Sequence, residues 1–201
     1  MKKIVLLISL LLLISCQSGE TSNSYANADY GIKFSYPDND IRVDDKVSDL
    51  DKGKRVSIST SGFSMVLTSE DYEPGVNEGC CYYFSGKSVD LKSAQADIEK
   101  QFGSVYDFQI VNVSGKDGFQ FIRFNKYVSV MPVLSLLVPV SGHGFSNILI
   151  SGPTLGNFVK DDKPDEAAAF DYINNKQYEE DEEYKNNLVR FQSVISSIKL
   201  N

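Results

Sequence analysis

The chain has 201 residues and sets 20 Lys and Arg against 27 Asp and Glu, a formal charge of −7. That balance repels nucleic acid and anionic lipid head groups, so neither is an expected partner. One histidine and three cysteines argue against a zinc site built on several imidazoles and against a multi-bridge disulfide framework.

Residues 1–15 have the layout of a secretory signal. Lys2 and Lys3 precede an apolar stretch at 4–14, broken only by Ser9. It suits a signal core and is short for a membrane span. Leu13-Ile14-Ser15-Cys16 resembles the lipobox of bacterial lipoproteins. The resemblance implies a lipidated thiol on Cys16, cleavage before it, and a mature chain of 186 residues with a charge of −9. One acyl chain holds a protein only marginally, at about 0.8 kcal/mol per buried methylene; two or three hold it stably. Gln17 in place of Asp points to the outer membrane, where the cell has one. Residues 16–28 are small and polar and read as the lipidated cysteine and a flexible tether. Residues 29–201 read as a single domain of ordinary size.

At 30–37, Ile32, Phe34 and Tyr36 alternate with Lys33 and Ser35, a strand stopped by Pro37. Residues 38–54 are charged and read as a loop with a short extended piece at 41–43. Two strands follow at 55–60 and 63–69, joined at Ser61-Gly62. Residues 70–79 read as a loop and 80–84 as a strand. The spacing of Leu91, Ile98 and Phe102 predicts a helix over 88–102, capped by Ser88 or Asp90 and ended by Gly103.

Residues 106–113 and 119–124 read as strands around a tight turn at 114–118. The apolar run 128–140 carries Pro132 and Pro139 and reads as a bulged strand. A turn at 141–144 leads to a strand at 145–151. Helices are predicted at 167–174 and 179–198. In the second, Tyr184, Leu188, Phe191, Ile195 and Ile198 form one stripe. The acidic run 179–183 sits at its start, where the helix dipole favours negative charge.

Cys80 and Cys81 are adjacent, which leaves several states open: two thiols on opposite faces of a strand, a strained vicinal disulfide, bridges to other chains, or metal or redox use. His143 lies between two glycines in a predicted turn and has no sequence context for a Ser-His-Asp set. There is no nucleophile elbow, phosphate loop or dinucleotide fingerprint. Asp38-Asn39-Asp40 starts like a calcium loop, but Arg42 and Val43 stand where a ligand and the glycine belong. Asp44-Asp45 and Asp161-Asp162 with Asp165 read as solvated loop carboxylates.

The first strand, Tyr-Gly-Ile-Lys-Phe-Ser-Tyr-Pro at 30–37, and the last helix, closing on Ser-Ile-Lys, together resemble the PsbP-like superfamily, which includes DcrB-like bacterial lipoproteins. The resemblance implies an α+β fold in which helices flank an antiparallel sheet as an α/β/α sandwich. It also implies an accessory role without catalysis and without a cofactor. The expectation is therefore a lipid-anchored envelope protein that is not an enzyme and acts by binding a protein partner. The alternative is a lipoprotein that binds a small ligand or divalent metal in its acidic loops or in a pocket between sheet and helix.

Overall fold

The computed structural model describes residues 23–37, 40–45, 52–73, 93–126 and 130–201. In chain order its elements begin with strands β1 (Asn23–Asn27), β2 (Ile32–Tyr36), β3 (Arg42–Asp44), β4 (Arg55–Ser59) and β5 (Ser64–Thr68). Helix α1 (Ala94–Phe102) leads to β6 (Tyr106–Val113), β7 (Lys116–Lys126), β8 (Val130–Gly142) and β9 (Phe145–Thr154). A small hairpin of β10 (Val159–Lys160) and β11 (Lys163–Pro164) precedes α2 (Glu166–Asn174), a 3₁₀ turn (Gln177–Glu180), α3 (Glu182–Ser197) and β12 (Lys199–Leu200).

The main sheet has seven strands in the order β3-β4-β5-β9-β8-β7-β6, and each pairing is antiparallel. A second sheet runs β1-β2-β12. The protein is thus α+β, with mostly antiparallel sheets and three α-helices among the described residues.

Side-chain alternation sends each strand's residues to two faces. On one face Ile58, Met65, Leu136, Ile148 and Ile150 pack with Ile32 and Phe34 of β2 and with Phe191, Val194 and Ile198. On the other, Phe119, Phe121, Leu137 and Leu149 meet Ala94 and Ile98 of α1. The interior strand β8 is therefore buried on both sides, and Val133 to Val138 is an unbroken buried run. This explains the apolar stretch of the sequence. Its register shifts fall at Val133/Ser135 and Pro139/Gly142, close to the two prolines that lack a ladder donor.

Three elements differ from expectation. Asn23–Asn27, read from composition as part of the tether, pairs with β2 as a strand, with Tyr25 against Phe34 at 5.4 Å. Here a polar segment is ordered by an apolar neighbour. The described part of the first helix begins at Ala94, after Ser93, so the proposed caps Ser88 and Asp90 lie outside the described residues. The last helix starts at Glu182 because Asp181 is extended and caps it, accepting from the backbone N–H of Glu183 at 2.8 Å and of Tyr184 at 3.0 Å.

The two chain ends that carry the family resemblance meet. Lys199 and Leu200 pair with Lys33 and Ile32. Ser197 Oγ accepts the N–H of Ser35 at 2.8 Å, which fastens the end of α3 to β2. No described helix is long and apolar enough to cross a membrane.

Candidate functional site

The candidate site begins at an irregularity in β6. The pairing of β6 with β7 shifts between Tyr106 and Gln109. An extra residue here breaks the alternation, so Tyr106 and Gln109 serve the same face and Asp107 is re-aimed. Asp107 holds φ 47°, a left-handed conformation that Asp tolerates better than most side chains.

Across from it, Lys176 holds φ 51° just before the 3₁₀ turn. Its Nζ lies 3.4 Å from Asp107 Oδ1 and 3.7 Å from Glu179 Oε1. The Tyr178 hydroxyl donates to Asp107 Oδ2. The hydrogen bond to Asp107, and then the charges of Asp107 and Glu179, hold the Lys176 ammonium above its ordinary range. Two non-glycine residues in left-handed backbone, tied to each other, mark a place where the fold sustains local strain.

Between this pair and α3 lies a pocket of about 280 Å³. Ile122, Leu134 and Leu188 supply apolar lining, and Gln109, Gln120 and Gln192 supply amides. Tyr178 and Tyr184, edge to face at 5.3 Å, add ring surface. Burial, then the negative charges of Asp107 and Glu179, push Tyr184 up to about 12. The pocket thus offers neutral hydrogen-bonding groups, a compensated ion pair and apolar surface. That combination suits recognition of a small polar molecule.

No protein family, no curated protein and no solved structure matches the chain. The site is therefore read on its own geometry.

None of the described candidates singled out in the sequence lines this pocket. Cys16, Cys80 and Cys81 are outside the described residues. His143 forms a two-residue turn with Gly144, at φ 55° and 79°, and its ring lies against Gly31. Asp161 and Asp162 form the tip of the β10–β11 hairpin, and Asp165 caps α2 by accepting from Ala168 N at 3.0 Å. Asp45 accepts from the Tyr30 hydroxyl at 3.0 Å. Among the described residues no group of three or more His, Cys, Asp or Glu could hold a metal ion.

Asp107, Lys176 and the three glutamines escaped sequence reading. A bulge and a left-handed lysine leave no periodic trace, and the glutamines come from β6, β7 and α3. The one signal available is Asp within a strand, a residue type depleted there.

Proposed function

We propose that the protein is a lipid-anchored, extracytoplasmic binding protein of the bacterial envelope, with a PsbP-like fold, that recognises its ligand without covalent chemistry. The Leu13-Ile14-Ser15-Cys16 pattern supports the anchor. Helices on both faces of an antiparallel sheet, and the meeting of β2 with the end of α3, support the family reading.

The observation that carries the binding role is the pocket beside Asp107 and Lys176. Asp107, Lys176 and Glu179 are committed to one another and Lys185 to Glu182, and the Tyr184 hydroxyl keeps its proton at neutral pH. Such groups hold and orient a molecule; they are not poised to exchange protons with it. A small polar ligand fits this lining better than a divalent cation, which would need converging carboxylates.

Titration of the full-length protein in detergent against a panel of amino acids, sugars and polyols is the test. Saturable heat from one class, lost in Gln192→Ala and Lys176→Ala, supports the reading; flat titrations across the panel overturn it. Fractionation of cells expressing Cys16→Ala tests the anchor separately. Release of the protein from the membrane is the expected result.

A second reading, a protein partner, is favoured by β6. It is an edge of the seven-stranded sheet among the described residues, and its Ile110 is 59% exposed. An extended segment could add to that edge by main-chain pairing. Crosslinking from residue 110 in intact cells distinguishes the two.

A further inference from the structure

The two walls of the pocket beside Asp107 carry the same mixture of groups. On the sheet wall the pairing resumes after the bulge with Gln109 opposite Gln120. Ile122, two residues along β7, faces the same way and pairs with Leu134. On the helix wall Tyr184, Leu188 and Gln192 recur at every fourth position and so share one face of α3. Gln192 lies two turns, about 12 Å, beyond Tyr184. Gln109 and Gln192 are exposed and Gln120 is half-buried, so a solute reaches all three amides.

This lining selects among polar molecules. Each glutamine offers an oxygen that accepts and two N–H groups that donate, and it carries no charge. A hydroxyl also donates and accepts. A carbon ring bearing several hydroxyls therefore matches amides on two facing walls, while its C–H faces match Ile122, Leu134 and Leu188. A zwitterion or an organic anion matches less well. Each of its charges needs a free ion of opposite sign, or it gives up hydration without return. The charged residues among the described lining already have such partners. Lys176 lies 3.4 Å from Asp107 and 3.7 Å from Glu179, and Lys185 lies 2.6 Å from Glu182. A charged ligand would have to break into these pairs. The volume of about 280 Å³ is just under the usual span of ligand pockets, about 300–1,000 Å³, which suits one or two rings and not a long chain.

We propose that the pocket takes a neutral mono- or disaccharide, held between the amides of Gln109 and Gln120 on the sheet and that of Gln192 on α3. The assignment rests on the pocket being the ligand site and names the class of molecule it receives.

The test is ligand-observed NMR titration of the full-length protein in a polyoxyethylene detergent, which carries no sugar of its own. One set of probes is glucose, galactose, N-acetylglucosamine and maltose. The other is glycine, glutamate and lysine, at the same ionic strength. Saturable binding of a saccharide, tighter than that of any amino acid, is the expected result. Gln109→Ala and Gln192→Ala each weaken it about tenfold, as loss of the hydrogen bonds of one amide should. Both side chains are exposed, so neither variant puts folding at risk. An amino acid that binds as tightly as every saccharide overturns the ligand class and leaves the pocket standing as a binding site. Saccharide binding unchanged in both glutamine variants overturns the placement. Flat titrations with both sets overturn this proposal together with the reading of the pocket on which it rests.

Discussion

Asp107 and Lys176 face each other at 3.4 Å, and each does so from a left-handed backbone. The bulge of β6 supplies one partner and the approach to the 3₁₀ turn supplies the other. The ion pair joins the sheet edge to the α2–α3 connection, and the pocket sits at that join.

This pairing predicts an order among variants. Lys176→Gly gives up the ion pair but relieves the strained φ, whereas Lys176→Ala gives up the pair and keeps the strain. Urea unfolding should therefore rank Lys176→Gly above Lys176→Ala. Asp107→Ala leaves the Tyr178 hydroxyl, in a side chain only 4% exposed, without its acceptor. It should cost about 1–3 kcal/mol. Equal midpoints for the two Lys176 variants would remove strain from the description of the site.

Alkaline pH should destabilise the protein through Tyr184. Its folded-state pKa is pushed up from 10.0 to about 12, first by burial and then by the charges of Asp107 and Glu179. Below pH 10 the phenol is protonated in folded and unfolded chains alike, and its contribution is complete. As pH rises, the unfolded chain releases the proton first, so stability falls until about pH 12. Tyr30, also pushed up to about 12 by burial and by Asp45, adds to the fall. Chemical denaturation at stepped pH should show a shallower alkaline decline in Tyr184→Phe than in wild type.

Gly152 on β9 is the seat of the Phe191 ring of α3. A Cβ placed there would lie 2.5–2.8 Å from three atoms of that ring. Gly152→Ala must move α3 or twist Phe191 from its rotamer, a cost of about 1–3 kcal/mol. Thermal melting reads this directly; a melting temperature unchanged from wild type would show that α3 is more loosely seated than the contact implies.

The β10–β11 hairpin turns on Asp161-Asp162 at φ 52° and 58°. Positive φ at both central residues is the geometry that Asn-Gly serves best. Asp162→Gly removes the steric conflict at the second position and should raise stability by about 0.5–1 kcal/mol. It also removes one carboxylate of this acidic loop. Unchanged calcium titration alongside higher stability is the expected pair of results.

Much of the sheet was readable residue by residue. The alternation of Ile32, Phe34 and Tyr36 is β2, and 106–113 is β6 to the residue. The prolines of the apolar run do accompany bulges. The acidic run at 179–183 does surround a helix start, with Asp181 as its cap. These features depend on neighbours within a few positions, so local chemistry is enough to reveal them. The site was not readable. It needs a bulge on one strand, a left-handed lysine some seventy residues later, and the glutamines of three elements to converge. No periodicity encodes such a meeting.

Local pattern alone determined the alternating strands, the glycine-marked turns, the amphipathic last helix and the acidic character of the chain. Tertiary structure decided that β5 lies beside β9, that polar Asn23–Asn27 becomes a strand, and that residues 199–200 close the sheet on β2. It also decided which side chains share the pocket. The physical reason is register. A strand's own sequence sets which residues alternate, but the partner strand sets which face they take and what they meet, and a slip of one position exchanges the two faces.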